Sequence, residues 1–188
     1  MKVELSDQDG VRILEPHKFR DIRGTLTKHF DSTVFLGLGC SHVWQQHIIS
    51  ITEKAFTLRG LHIQMPPYAE AKLISAIAGQ MLWVIVDLRK GSRNFRNWSS
   101  VILDGESSAG LLVPRGFAHG CMSLNDDVTL TILADNAYDS GHGVGIRWDD
   151  PDIGIDWPLP RGVKPLLSDE HANCMSFAEQ VERLERVE

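Results

Sequence analysis

Two histidines and a lysine lie in sequence contexts suited to proton-transfer chemistry. His62 belongs to the run Arg59-Gly-Leu-His-Ile-Gln64, where the two-residue period of a strand puts His62 and Gln64 on one face. His119 follows a Pro-Arg-Gly turn, at the start of another strand. A histidine with a pKa near 6.5 can take a proton from a carbon next to a carbonyl. The enolate oxygen that then develops needs a cation or donor, and Lys72 is the candidate.

A metal centre is the alternative use of these histidines. In a small β-barrel, His-x-His on one strand with a later histidine would indicate a metal site. Here the second position is Gln64, a poor ligand for a transition metal, and no glutamate follows at ligand spacing. Without a metal, His62 and His119 would act as acids, bases or hydrogen-bonding groups, while Arg23 and Arg59 add fixed positive charge. The pattern therefore favours metal-free acid–base chemistry.

The elements that must position these residues are short strands. Apolar or alternating runs are broken by Gly, Pro, Asn or Asp about every 8–12 residues, which is typical of an all-β sandwich, jelly roll or barrel. Strands are expected over residues 72–78, 81–88, 101–103, 110–113 and 128–133. Gly79 and Gln80 would close a tight hairpin between the first two of them.

Two regions depart from this strand pattern. Phe177, Val181 and Leu184 have helical spacing and predict a short C-terminal helix over about 175–187. Residues 139–168 are rich in Gly, Asp and Pro, so turn chemistry dominates there. They predict a long ordered loop that either covers the barrel or shapes the mouth of a site.

Composition and charge limit the partners. The chain has 188 residues, 43% hydrophobic and 23% charged, as in an ordinary globular domain. Its formal net charge of −6 argues against nucleic acid, because phosphate backbones demand a basic surface. Cys40, Cys121 and Cys174 have no CxxC spacing and are expected to be reduced thiols. With an acidic N-terminus and no apolar run long enough for a membrane span, we expect a soluble, cytoplasmic protein.

Seven short motifs, in order, resemble the dTDP-4-dehydrorhamnose 3,5-epimerase family. They are Phe19-Arg-Asp-Ile-Arg-Gly24, Arg59-Gly-Leu-His-Ile-Gln64, Lys72-Leu73, Asp87-Leu-Arg-Lys-Gly-Ser92, Pro114-Arg-Gly-Phe-Ala-His-Gly120, Ile146-Arg-Trp-Asp-Asp-Pro151 and Ile155-Asp-Trp-Pro158. The resemblance covers roughly residues 15–171. It implies one cupin-type jelly-roll domain over residues 1–188, a homodimer, and neither a metal nor an organic cofactor.

The resemblance also implies a reaction. Members of the family act on a nucleotide-linked 4-keto-6-deoxyhexose and invert carbons 3 and 5, on either side of the ketone. Protons next to a ketone are acidic only when the enolate is stabilised, so a base and a nearby cation suffice. His62 matches the family's base, and Lys72 matches its enolate-stabilising lysine.

A substrate-binding set accompanies this pair. Arg23, Arg59 and His119 match positions that bind the nucleotide diphosphate or the sugar. Tyr138 matches the aromatic residue that stacks on the nucleotide base. Gln64, on the same strand face as the base, completes the predicted set.

The chain departs from the family at two catalytic positions. The general-acid tyrosine falls at Ile132, which cannot donate a proton. The carboxylate that orients the base falls at His171, although a gap or a shift of register would place Asp169 or Glu170 there instead. Loss of one general acid typically lowers the rate by about 10²–10⁴. We therefore interpret the chain as a divergent member that inverts one carbon or both, with water or another residue as the acid, or that isomerises its substrate with His62 handling both protons.

Two other hypotheses stay open. One is a catalytically weak paralogue that binds a nucleotide sugar or serves as a structural subunit, which Ile132 and His171 favour. The other is a metal-dependent cupin enzyme, such as a dioxygenase or a sugar-phosphate isomerase. The retained pair of His62 and Lys72 favours the epimerase over both.

Overall fold

Short strands make up most of the chain. The computed structural model describes residues 2–5, 10–37 and 43–184, so Cys40 and the end of the expected C-terminal helix lie outside the described residues. The strands are β1 (Lys2–Leu5), β2 (Arg12–Glu15), β3 (Lys18–Asp21), β4 (Gly24–Thr27), β5 (Gln46–Thr52), β6 (Leu58–Gln64), β7 (Lys72–Ala78), β8 (Gln80–Asp87), β9 (Trp98–Asp104), β10 (Gly110–Val113), β11 (Phe117–Ser123), β12 (Val128–Ala134) and β13 (Gly143–Gly145). The helices are α1 (Ser32–Gly37), α2 (Asp169–Ala172) and α3 (Phe177–Leu184).

These strands form two antiparallel sheets. One sheet has the order β1-β2-β10-β7-β12-β5, and the other has the order β13-β6-β11-β8-β9. Strands β3 and β4 form a separate hairpin. The all-β, cupin-type jelly roll with a short C-terminal helix is therefore confirmed. None of the described helices is long and apolar enough to cross a membrane.

The five-stranded sheet is buried on both faces. Trp83 and Ile85 of β8 point into the apolar cluster shared with the six-stranded sheet. Their neighbours Val84 and Val86 join a second cluster on the other side, with Trp157 of the long loop. Alternating strand residues can be apolar on both sides only because the loop and α3 cover the outer face.

The hairpin expected at Gly79 and Gln80 is wrong. The strands on either side of this turn belong to different sheets, because β7 pairs with β10 and β12 while β8 pairs with β11 and β9. The turn passes the chain from one sheet to the other. Strand periodicity shows which residues alternate, but it does not identify the partner strand.

The helices and the long loop differ in detail from the sequence prediction. The C-terminal helix exists as α3, with Phe177 and Leu184 buried. Helices α1 and α2 were not predicted, because helices of six and four residues are too short to display a helical period. Residues 139–168 contain the short strand β13 and otherwise loop or turn structure.

Gly60 allows an unusually close approach of β6 and β11. Its φ is +103°, and a Cβ atom there would lie 2.6 Å from the carbonyl oxygen of His119 and 2.8 Å from Cα of Gly120. The register of the two strands shifts between His119 and Cys121, next to this contact. Because Gly60 has no side chain, β6 and β11 can approach closely enough for His62 to pair with His119.

We expect Gly60→Ala to lower the free energy of unfolding by about 2–4 kcal/mol, because both the positive φ and the backbone contact oppose a Cβ atom. Urea unfolding followed by circular dichroism measures this loss. Gly37→Ala is the control, since nothing lies within 4 Å of its added Cβ and its φ is not positive. Equal stabilities of the two variants would contradict the role of Gly60.

Candidate active site

The two predicted histidines meet across neighbouring strands. His62 of β6 lies directly opposite His119 of β11 in the sheet register. Their ring centroids are 4.4 Å apart with an interplanar angle of 71°, and His119 also stacks on Trp83 at 5.6 Å. Residues 57 positions apart in sequence are therefore in ring contact, and Trp83 limits the movement of His119.

Lys72 reaches this pair from the facing sheet. It opens β7, and its Nζ lies 3.2 Å from Nε2 of His119 and 2.8 Å from Oε1 of Glu70. The side chains of Lys72 and Glu70 are only 12% and 6% exposed. An ammonium group can only donate, so Nε2 of His119 accepts and the imidazole is neutral. Glu70, in the loop just before β7, was not identified from the sequence.

His171 takes the place next to the base. It lies on α2, and its ring faces that of His62 at a centroid distance of 6.4 Å and an interplanar angle of 23°. Ser168 caps this helix by accepting the backbone N–H of His171, and its Oγ lies 3.2 Å from the ring Nδ1. Nδ1 of His62 is buried and makes no hydrogen bond within the described residues. The sequence left Asp169, Glu170 and His171 as candidates for the position next to His62. In the structure, the ring of His171 lies there.

A cavity of about 280 Å³ opens at this cluster. Its lining residues are His62, Ile63, Gln64, Glu70, Lys72, Tyr138, Ser140, Gly143, Val144, Gly145, Glu170, His171 and Cys174. Both sheets contribute to its walls, and α2 and the loop between β12 and β13 complete them. The long loop predicted over residues 139–168 therefore shapes the mouth as well as covering the sheet.

Gln64 holds the rim of the cavity. Its Nε2 donates to the carbonyls of Tyr68 and Ala137, and its Oε1 accepts the backbone N–H of Asp139. These contacts fix the loop that carries Tyr138, whose side chain is 67% exposed. The amide of Gln64 is buried and already engaged, so it reaches a ligand most directly through the position of Tyr138.

Four predicted site residues are not among those that line the cavity: Arg23, Arg59, His119 and Ile132. Arg23 sits at the turn of the β3–β4 hairpin, where it pairs with Asp21 at 2.6 Å and remains 86% exposed. Ile132 of β12 pairs with Ile74 of β7 and packs against the apolar cluster between the sheets. Arg59, on β6, is exposed, and it lies near enough to His171 to help lower the pKa of that imidazole.

Burial keeps the histidines neutral. It lowers the pKa of His62 to about 3, and the charges of Lys72 and His171 add to the effect. The pKa of His119 also lies well below its usual value, through burial first and then the charge of Lys72. Burial likewise lowers the pKa of His171. A neutral imidazole can accept a proton, so His62 is in the form that a general base requires.

No metal-ligand cluster accompanies the cavity in the described ranges. Among residues 2–5, 10–37 and 43–184, no three or more His, Cys, Asp or Glu side chains are grouped so that they could hold a metal ion. Cys121 and Cys174 are both free, in agreement with the thiols expected from the sequence. Burial raises the pKa of Cys121 to about 12, so that thiol is protonated.

Comparison with known proteins gives one consistent result. A family model described as dTDP-4-dehydrorhamnose 3,5-epimerase matches residues 6–179. The chain is similar to the dTDP-4-dehydrorhamnose 3,5-epimerase of Shigella flexneri, with 37% identity over 182 residues, 95% of this chain and 96% of the relative. The enzyme of that name from Escherichia coli K12 is 36% identical over 173 residues, 90% of this chain and 92% of its own length.

Solved structures agree. The crystal structure of dTDP-4-dehydrorhamnose 3,5-epimerase from Bacillus anthracis, with TDP and PPi bound, has a TM-score of 0.88 at 37% identity and covers 92% of this chain and 97% of its own. ChmJ, a 3'-monoepimerase from Streptomyces bikiniensis in complex with dTDP-quinovose, has a TM-score of 0.86 at 30% identity, covering 97% and 90%.

Because the fold holds His62 neutral, we expect the free energy of unfolding to fall in acid. Because the pKa of His62 is lower in the folded chain than in the unfolded one, its contribution to stability is complete above pH 6.5 and is lost as the pH falls toward about 3. We expect His62 to account for up to about 2 kcal/mol of the stability lost between pH 7 and pH 5.

Urea unfolding of the wild type and of His62→Gln at both pH values measures this contribution. The variant should lose less stability on acidification, whereas His17→Gln, at an exposed position, should lose as much as the wild type. An equal loss in His62→Gln would show that His62 is not held neutral by the fold.

Proposed function

The chain belongs to the dTDP-4-dehydrorhamnose 3,5-epimerase family, and from that premise we propose a catalytic mechanism for this chain. It is an isomerase that epimerises a nucleotide-linked 4-keto-6-deoxyhexose by removing a proton next to the ketone. The observation that carries the mechanism is a neutral, largely buried His62 in a cavity that also holds the Lys72 ammonium. We further propose that the nucleotide is dTDP, as in the names of these relatives.

His62 is the proposed base. It takes the proton from a carbon next to the ketone, and the electron pair of the broken C–H bond forms the enolate. Lys72 donates a hydrogen bond to the oxygen on which the negative charge develops. The enolate also compensates the positive charge that His62 acquires in a buried site, so each charge stabilises the other.

The groups around His62 and Lys72 suit a substrate whose sugar lies in the cavity and whose nucleotide lies at the rim. His119, whose neutral ring stacks on Trp83, contacts the cavity-lining Lys72 and helps to position it. Tyr138 stands exposed at the rim, where a nucleobase can stack on it. Arg59 is exposed and has no hydrogen bond or ion pair among the described residues, so its guanidinium is available to a diphosphate. No cofactor takes part in these steps.

A second copy of the chain completes the proposed site. Arg23 lies outside the cavity of its own chain, on a hairpin that exposes Phe19 (53%), Ile22 (105%) and Leu26 (64%). Apolar side chains projecting in this way are typical of a contact surface. We propose a homodimer in which the hairpin of one copy brings Arg23 to the diphosphate in the other copy's cavity.

The six-stranded sheet supports the same assembly. Its edge strand β5 exposes Ile49 (55%) and Ile51 (64%), beside the equally apolar Ile77 of β7 (47% exposed). An exposed apolar edge strand invites pairing or aggregation unless another chain covers it. A second copy is the proposed cover. Free thiols and an acidic surface also suit a cytoplasmic location, which we propose for this enzyme.

Solvent exchange tests the reaction. In heavy water with dTDP-4-keto-6-deoxyglucose, we expect NMR to show loss of the proton at carbon 3, carbon 5 or both, followed by an inverted product. Exchange at one carbon identifies a mono-epimerase, and exchange at both identifies a 3,5-epimerase. Binding without any exchange would show a binding paralogue instead. His62→Ala should lower exchange by about 10²–10⁴, and full exchange in that variant would remove His62 as the base.

Mixing two inactive variants tests the dimer. Arg23→Ala should weaken substrate binding and raise KM, and His62→Ala should lack the base. A mixed dimer combines the intact Arg23 of one chain with the intact His62 of the other, so refolding the two variants together should restore activity. Arg23→Ala mixed with Arg23→Ala is the control. No recovery in mixtures shown to form mixed dimers would place Arg23 outside the partner's site.

A further inference from the structure

The proposed epimerase needs a proton source on the side of the sugar opposite His62. Inversion at carbon requires that the proton leave from one face of the enolate and return to the other. The resemblance places the acid at Ile132, whose side chain packs in the apolar interior and cannot donate. A residue that replaces the missing acid must be titratable, must line the cavity and must lie across the sugar from His62.

Most of those groups lie on the wrong side. Glu170, His171 and Cys174 all belong to the segment whose imidazole stacks beside that of His62, with 6.4 Å between the ring centroids, so we place them next to the base. Tyr138 stands at the solvent-exposed rim. The remaining pair is Lys72, at the start of β7 in the six-stranded sheet, and Glu70, in the loop just before it.

Glu70 flanks Lys72 on the side away from Ile132. In the register of the six-stranded sheet, Lys72 is opposite Ala134, and Ile74, two residues further, is opposite Ile132. Glu70 comes two residues before Lys72, in the loop that leads into β7. Along the chain, the carboxyl group precedes Lys72 and the position paired with Ile132 follows it.

The carboxyl group is also free to act. Its Oε1 forms an ion pair with Nζ of Lys72 at 2.8 Å, and within the described residues the Glu70 side chain has no other partner. The side chain is 6% exposed and faces the cavity. Neither of its oxygens is among the buried side-chain atoms without a hydrogen-bond partner in the described residues, and the residue lines the cavity. A substrate in the cavity would therefore meet the carboxylate directly.

We propose that Glu70, together with Lys72, returns the proton to the sugar. This proposal rests on the epimerase function proposed above. His62 takes the proton, and the enolate forms beside the Lys72 ammonium. As the enolate collapses, a proton passes from Nζ of Lys72 to the Glu70 carboxylate, and the resulting O–H bond breaks as the new C–H bond forms from the enolate electrons.

Charge balances throughout this sequence. The starting pair carries +1 and −1, and the intermediate adds an imidazolium and an enolate of opposite sign. The product state has a neutral lysine, a carboxylate and an imidazolium. Transfer of one proton from His62 to Lys72 through solvent resets the site, so in heavy water the inverted carbon carries deuterium.

Glu70→Gln tests the proposal, because the amide has nearly the same shape and can stay beside Lys72 but cannot supply the proton. With dTDP-4-keto-6-deoxyglucose in heavy water, we expect inversion to fall by about 10²–10⁴. Proton exchange at the same carbon should persist near the wild-type rate, because His62 can remove and replace the proton on one face. KM should change little, and Glu70→Asp should recover part of the inversion. Glu182→Gln, on the exposed side of α3, is the matched control and should invert normally.

The possible results distinguish a failure of the role proposed for Glu70 from a failure of the proposed epimerase function. Wild-type inversion in folded Glu70→Gln would overturn the role of Glu70 while leaving the epimerase intact. Loss of exchange together with inversion would also overturn it, since Glu70 would then act before or during proton removal. Absence of exchange in the wild type would instead refute the epimerase itself. Circular dichroism and the thermal midpoint Tm establish that the variants are folded.

Discussion

The contact between Lys72 and His119 joins the two sheets of this protein and organises its cavity. A lysine of the six-stranded sheet reaches 3.2 Å from a histidine of the five-stranded sheet, with its side chain only 12% exposed. An ammonium group so removed from water needs compensation, which Glu70 supplies as a counter-charge and neutral His119 as an acceptor. The jelly roll encloses the apolar core between its sheets, and at this end the same enclosure creates a polar, reactive cluster.

Burial then sets the protonation states on which the chemistry depends. The histidines are neutral because a charged imidazole would be poorly solvated and would repel Lys72. That arrangement places the Lys72 ammonium, paired with the Glu70 carboxylate, in a cavity that Glu170 also lines. The net charge of −6 is thus a property of the whole surface. A small diphosphate held by a few local cations is compatible with that net charge.

The substitution of two expected catalytic groups is compatible with this architecture. An aliphatic residue at Ile132 extends the apolar interior along β12, and His171 brings a second imidazole to His62 where a carboxylate was expected. Glu70 is a carboxyl group of the cavity lining, and we propose that it takes over the proton return expected at the position of Ile132.

The sequence by itself determined the fold class, the strands near the site and the family, because alternation of apolar residues and ordered motifs are local properties of the chain. It identified His62 and Lys72, whose spacing and flanking residues are characteristic. Strand pairing was decided only by the tertiary structure: Gly79 leads into the other sheet, and His171 meets His62 through a four-residue helix. Glu70 gave no motif signal, since its significance comes from burial beside Lys72. Contacts between residues distant in sequence depend on how the sheets pack, and no local pattern records that.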